Sequence, residues 1–315
     1  MLIGILAGLT TGALWGLAFV SPRAVAPFSA WDLTLARYVL FGLTSAVLMI
    51  LPRFRPIMSR RQLVLGFLLG GFGNVGYFLS AAYAVQFAGA VLPLLIIGTS
   101  PVVLSLIANL REKAVSWRAL LLPFALVLGG ILTAHAGMPE PAQSSLGDRT
   151  WLGVLAALSA VGIWVVYGLG NSQILRAPDA PDVLGWTGLQ GLGAAAGALI
   201  LIPLLGLPNP EVASDADMQR FTAWVLATSF LGCWFATLCW MVASNRLPMV
   251  LTALLIVAET GFGLLYGLIF EQRLPTTPEA IGIAMQLSGV ILAILSFTRR
   301  PAAIETIAIG EIAPR

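Results

Sequence analysis

Two ionisable residues sit inside otherwise apolar stretches, and they raise the first question about chemistry. Arg37 lies about two turns into one stretch, and Glu259 lies near the middle of another. A charge at such depth in a hydrocarbon layer is costly and rarely faces lipid. Arg37 can extend outward to the interface or pair with Asp32 near the same end, and either role is structural. Glu259 has no partner on its own helix. Three roles fit it: a carboxyl that takes up and releases a coupled proton, a contact for a substrate amine, or a hydrogen-bonded structural group. Aromatic and amide side chains accompany these charges. Trp15 lies on one stretch, Asn74, Tyr77, Tyr83 and Gln86 on a second, Trp164, Tyr167 and Asn171 on a third, and Trp234 and Trp240 on a fourth. Ring walls suit an amphipathic solute with an apolar side group, and ring faces attract an ammonium. Trp151, Trp186 and Trp240 read instead as interfacial belt residues.

Other chemistries lack their residues. There is no GxxxxGK[ST] phosphate loop, no HExxH and no GxSxG. Gly71-Phe-Gly73-Asn-Val-Gly76 matches GxGxxG in letters only, because it lies in an apolar helix with no strand before it. The one histidine, His135, reads as an interfacial polar residue at a span end. Cys233 and Cys239 share one apolar stretch, form no CxxC pair and read as small packing residues. No metal or cofactor is expected. The alternative from another class is a membrane-embedded enzyme acting on lipid; it would need a catalytic pair or metal cluster at one depth, and one histidine with almost no buried carboxylates supplies neither convincingly. A channel would want a charge ring or a filter-like segment, and none is evident.

The elements that must hold these residues are membrane helices. Hydrophobic residues make up 58% of the chain and charged residues 10%. Soluble domains carry roughly 25% charged residues, so this chain has too few to wet its surface. A run of about 20 apolar residues spans a bilayer as a helix, because lipid offers no partner to an exposed backbone. Ten such runs are expected, at 2–20, 31–51, 62–81, 87–108, 117–136, 151–171, 183–206, 221–244, 249–270 and 279–297. With the N-terminus inside, the cytoplasmic loops hold Arg53, Arg55, Arg60, Arg61, Arg111, Lys113, Arg118, Arg176 and Arg246, and the tail holds Arg299, Arg300 and Arg315. The outer loops hold only Arg23, Arg149, Arg220 and Arg273. That bias predicts that both termini are cytoplasmic. The net charge of +3 is small and its basic residues flank spans, so the partner is the lipid bilayer and not nucleic acid.

The chain also repeats itself. Residues 4–15 read GILAGLTTGALW and residues 153–164 read GVLAALSAVGIW, with Trp15 matching Trp164. Leu110-Arg111-Glu112-Lys113 follows the fourth stretch, as Phe270-Glu271-Gln272-Arg273 follows the ninth. The expected organisation is a five-helix repeat over 1–136, a periplasmic linker over 137–150, a second repeat over 151–298 and a cytoplasmic tail over 299–315. Five is odd, so the second repeat enters the membrane from the opposite side. Inverted repeats of this kind build secondary transporters. Gly4, Gly8, Gly12 and Gly16 form a stripe that lets another helix approach closely, and Gly193/Gly197 and Gly263/Gly267 do the same. Pro93 and Pro101 are expected to kink the fourth span, and with Gly12 and Gly263 they are the hinge candidates.

These features resemble the drug/metabolite transporter superfamily in its EamA-type ten-helix form. The matching residues are Ala13-Leu14-Trp15-Gly16, Arg37-Tyr38, Thr99-Ser100-Pro101, Arg111-Glu112-Lys113, and Glu271-Gln272-Arg273 with Gly282 and Gly289. Within that superfamily the chain looks most like the YddG-type exporters of aromatic and other amino acids. The second half departs from the pattern, with Trp186-Thr187 where an Arg pair would match and Glu259-Thr260-Gly261 where a proline would match. The resemblance implies an all-α polytopic fold, ten transmembrane helices in two inverted repeats around a central cavity. It implies that spans 1, 3, 4, 6, 8 and 9 line that cavity. The candidate liners are then Trp15, Asn74, Tyr77, Tyr83, Trp164, Tyr167, Trp234 and Glu259. The implied activity is export of small amphipathic metabolites, amino acids first, by alternating access and with protons as a possible second partner. A broad exporter of hydrophobic cations is the alternative. Monomer and homodimer both remain open.

Overall fold

The computed structural model describes residues 1–54, 58–88, 91–136, 150–207 and 214–298. The expected linker and the tail fall almost wholly outside that set. Every regular element among the described residues is helical. The chain begins with α1 (Leu2–Trp15), a 3-10 turn (Gly16–Phe19), α2 (Ser21–Ala24) and α3 (Ala30–Leu48). Then come α4 (Arg60–Gly71), a π segment (Phe72–Gly76), α5 (Tyr77–Ala88), α6 (Val91–Gly98), α7 (Ser100–Glu112) and α8 (Trp117–Ala136). The second half runs α9 (Thr150–Leu175), α10 (Val183–Ile200), α11 (Ile202–Leu205), α12 (Asp215–Ala227) and a π segment (Thr228–Phe235). It closes with α13 (Ala236–Arg246), α14 (Met249–Leu255), α15 (Val257–Glu271) and α16 (Thr277–Thr298).

Among the described residues, 7 helices are long and apolar enough to cross a membrane. The three other expected spans fall short for separate reasons. α1 is apolar but only 14 residues long before it tightens into the 3-10 turn. α3 has the length, 19 residues, but carries Asp32 and Arg37. The fourth span is broken at Thr99 into α6 and α7. Pro101 is the second residue of α7, where the backbone N–H has no helical partner in any case, so it sits at the break and removes no bond from the interior of that helix. Pro93 lies in α6, close to residues outside the described set.

Polar residues set where helices begin. Ser29 with Asp32, Ser59 with Gln62 and Ser214 with Asp217 form reciprocal capping boxes, and Asp182 caps α10. The local features then recur in the same order in the second half. A π segment interrupts α4–α5 and another interrupts α12–α13. α6–α7 is broken at Thr99, and α14–α15 is broken at Ile256. α7 ends on Lys113 at φ 48 and α15 ends on Gln272 at φ 51, two non-glycine residues in the left-handed region.

Helix packing relies on absent side chains. The stripe on α1 lies against the end of α13 and the ninth-span helices: Gly4 faces Leu247, Gly8 faces Leu255 and Gly12 faces Ala258 and the Glu259 N–H. A Cβ on Gly16 would come within 2.9 Å of the Gly263 nitrogen. Gly12 and Gly263 thus sit at a close helix crossing. α10 meets α4 in the same way, through Gly193 against Phe67 and Gly71 and through Gly70 against Gln190. α8 and α16 cross at Gly130 and Gly282, whose backbones touch. The GxGxxG letters of residues 71–76 belong to such a crossing and its π segment, in keeping with their reading as helix.

Candidate functional site

Four aromatic rings converge on Trp164 of α9, making a cluster of five from four spans. Trp15 meets it edge-on, with centroids 5.4 Å apart and planes at 71°. Trp240 lies at 5.5 Å, Tyr77 at 5.8 Å and Tyr167 at 5.5 Å, and Trp15 also contacts Trp240 at 5.8 Å. The spacings are those of attractive ring pairs, each contributing about 0.5–1.5 kcal/mol beyond burial. Trp240 is fully buried and Tyr167 nearly so, whereas Trp15, Tyr77 and Trp164 keep part of their surface open. Tyr167 fits because Gly73 has no side chain; a Cβ there would overlap its ring. Trp15 is oriented by its Nε1–H, which donates to the Gly232 carbonyl at 3.0 Å. Gly232 lies in the second π segment. Widened turns of this type recur at functional sites, and here one places an acceptor for the ring.

Glu259 stands in the first turn of α15, and its N–H donates to Ile256 O at 2.8 Å. Its backbone lies against Gly12 and Gly16 of α1, and its carboxyl has no hydrogen-bond partner among the described residues. The site therefore joins an aromatic wall to a carboxyl, a combination that attracts an amphipathic group or an ammonium. The structure brings Trp15, Tyr77, Trp164 and Tyr167 together, and places the Glu259 backbone against Gly12 and Gly16 on either side of Trp15 along α1. Asn74, Tyr83 and Trp234 are not joined to the ring cluster. Asn74 Nδ2 donates to Gly70 O at 2.7 Å within its own helix. Tyr83 stacks on Phe87 at 5.9 Å. Trp234 approaches Phe54 at 6.3 Å and packs on the core between α3 and α10. The Gln86 and His135 side chains lie outside the described residues.

Two belt assignments are corrected. Trp240 belongs to the ring cluster, and Trp186 is fully buried, donating from Nε1 to Asn171 Oδ1 at 2.7 Å. Trp151, at 60% exposure, stays on the surface. Asn171 Oδ1 also accepts from Gln190 Nε2 at 3.0 Å, so α9 and α10 share a wholly buried amide network. Sequence reading passed over Gln190; an amide inside an apolar run was the available signal.

At the end of the bundle nearest the N-terminus, polar groups bind several spans together. Glu112 Oε1 pairs with Arg176 Nη2 at 2.5 Å, and its Oε2 accepts the Met249 N–H at 3.0 Å. Arg176 also donates to Ser172, and Asn245 Nδ2 donates to Leu175 O at 2.5 Å. Beneath this tie Met249, Val250, Leu251, Leu254, Leu255, Leu104 and Ala108 are all fully buried. At the opposite end Arg273 grips Glu279 at 2.7 and 2.8 Å across the local α15–α16 turn, while Arg220 Nη2 donates to the Ala26 carbonyl at 2.5 Å, Trp31 Nε1 donates to the Gly206 carbonyl at 3.1 Å and Phe28 meets Phe221 at 4.2 Å. Both ends therefore carry ties between distant segments. Glu112→Gln is expected to lower stability by about 1–2 kcal/mol, the scale of a charge-assisted hydrogen bond. Thermal unfolding of Glu112→Gln, Arg176→Gln and the double variant measures it. A coupling between the two of about 1 kcal/mol is expected, and strict additivity would show the pair to be idle.

Among the described residues no group of His, Cys, Asp or Glu could hold a metal. No protein-family model matches the chain. A solved crystal structure superposes with a TM-score of 0.75 at 18% identity, over 94% of this chain and 98% of that one, a likeness in fold. The inner membrane protein YtfF of Escherichia coli (strain K12) is 32% identical over 316 residues, spanning 96% of this chain and 98% of that protein. With seven membrane-length apolar helices and a relative of that kind along its whole length, the chain is a helical membrane protein and belongs to the family of the inner membrane protein YtfF.

Proposed function

We propose that the chain is a secondary transporter of the drug/metabolite transporter type, with ten transmembrane helices in two inverted five-helix repeats. It exports small amphipathic metabolites, amino acids including aromatic ones first, by alternating access across the inner membrane. The observation that carries this reading is the ring cluster around Trp164, drawn from spans in both halves and flanked by the uncompensated Glu259. The recurrence of π segments, breaks and left-handed caps supports the duplication. An odd number of spans per unit supports the inversion. With both termini inside, the end tied at Glu112 is the cytoplasmic one and the end tied at Arg220 and Trp31 is the periplasmic one. Alternating access then requires each tie to open in turn.

A hydrophobic organic cation is the second reading, favoured by the ring faces next to a carboxyl without a partner. Purified protein in liposomes tests both. Counterflow of labelled phenylalanine is expected to be supported, and an organic cation is expected to compete weakly. Strong competition by the cation with no amino-acid counterflow would replace the first reading by the second. With proton coupling at Glu259, a proton gradient drives uptake by the wild type and not by Glu259→Gln. Equal behaviour of the two with and without the gradient removes that role from Glu259.

A further inference from the structure

Arg37 is a cation without an anion. Its expected partner, Asp32, is engaged elsewhere: Oδ2 accepts the Ser29 N–H at 2.8 Å in the cap of α3. The Arg37 guanidinium instead folds over the Tyr38 ring, with Cζ 4.8 Å from the centroid, and Nη2 makes one long contact of 3.4 Å to the Tyr38 hydroxyl. Its Nε is shielded from solvent and has no hydrogen-bond partner. No carboxylate pairs with it among the described residues. A side chain reaching for the interface would expose its head; this one turns inward onto a ring, seven residues into the helix.

The second half shows that packing does not demand this charge. Gln190 stands eight residues after the α10 cap Asp182, as Arg37 stands eight after the α3 cap Ser29. Gln190 is neutral and donates to Asn171 within the protein. Arg37 in the matching place has no such acceptor. Nor is it remote from the rings. Ser229 Oγ donates to the Arg37 carbonyl at 3.1 Å, and Trp15 is bound to Gly232, one turn further along the same π segment.

We propose that Arg37, with the Tyr38 hydroxyl, is the carboxylate subsite of the transport pathway, binding the acid group of a solute whose apolar side group rests on the Trp164 ring cluster. This rests on the transporter reading and adds the acid group as a recognised feature. The guanidinium offers its free donors to a carboxylate or a phosphate alike, so the source of the anion has to be separated by experiment.

Thermal unfolding of the purified full-length protein in detergent does so without transport. Three probes are used: phenylpropionate, which has the acid and no amine; phenethylamine, which has the amine and no acid; and phosphatidylglycerol. Phenylpropionate is expected to raise the unfolding midpoint of the wild type. Arg37→Gln is expected to need at least tenfold more of it, and Arg37→Lys to recover part of the response. Phenethylamine is expected to act equally on wild type and Arg37→Gln. An equal phenylpropionate response in wild type and both variants overturns the proposal. So does an Arg37-dependent shift produced by phosphatidylglycerol and not by phenylpropionate, which would assign the site to lipid phosphate. If neither variant folds, the wild type decides: no stabilisation by phenylpropionate overturns the proposal, and stabilisation that phosphatidylglycerol does not reproduce upholds it. Failure of phenylalanine counterflow with the anion response intact would instead strike the transport reading alone.

Discussion

Gly193→Ala is expected to lower the thermal stability of the protein sharply, while Gly162→Ala leaves it nearly unchanged. Both replace a helical glycine by the same methyl group. At Gly193 that methyl would overlap the Phe67 carbonyl oxygen and come within 3.0 Å of the Gly71 nitrogen. The obstacle is backbone of α4, which cannot rotate away as a side chain could. On the facing helix Gly70 is held equally tightly against the Gln190 carbonyl, so α10 and α4 would have to separate. Overpacking of this kind costs about 1–3 kcal/mol, and a backbone obstacle puts Gly193 at or above the top of that range. In a membrane the loss matters doubly, because lipid is as apolar as leucine and close packing is a main force joining helices. At Gly162 no atom lies within 4 Å of the new methyl. Unfolding in detergent, followed by loss of the monodisperse peak on heating, compares the two. Equal stability would mean that α4 and α10 do not cross at these glycines.

Trp164→Ala is expected to abolish most substrate affinity if the ring cluster is the binding wall. Trp164 touches Trp15, Trp240, Tyr77 and Tyr167, so its removal breaks the cluster at its hub. Truncating a central aromatic anchor costs at least about 2 kcal/mol of binding, close to thirtyfold in affinity. Trp164→Phe keeps a ring face and is expected to retain most of it. Tyr83→Ala is the matched control, since Tyr83 stacks on Phe87 and not on the hub. Saturation of phenylalanine counterflow in liposomes, normalised to folded protein, reads all three. Wild-type affinity in Trp164→Ala would make the cluster a packing core and move the site elsewhere.

Much of this architecture is legible in the chain before any coordinates are seen. The apolar runs are visible because a lipid-spanning helix tolerates few charges, and most emerge as helices near the expected places. Trp15 and Trp164 are found as a pair because the duplicated segment around them is still readable. The glycine stripe of α1 is legible for a similar reason: a residue without a side chain every fourth position leaves a groove whatever fills it. What hydropathy does not reveal is which way a membrane helix faces. In water an amphipathic pattern separates inside from outside, but in lipid both faces are apolar. Trp240 and Trp186 therefore look like belt residues on paper and prove to be the buried partners of Trp164 and Asn171.

Register across the repeats shows the same limit. Matching letters set Trp186-Thr187 opposite Arg37-Tyr38, whereas the helix caps set Gln190 there. Loop lengths differ between the halves, and only the folded helices reveal where each begins. The Glu112 tie is likewise invisible in sequence, because Arg176, Met249 and Glu112 are far apart along the chain and meet only when three spans converge. Composition and spacing by themselves determined the solvent, the helical class, the duplicated aromatic pair and the crossing stripes, all of which follow from local rules applied one stretch at a time. Tertiary structure alone decided which rings gather around Trp164, which distant residues tie the spans at Glu112 and that Arg37 is left without an anion. Those outcomes depend on distances between residues far apart in the chain, and no local pattern encodes such distances.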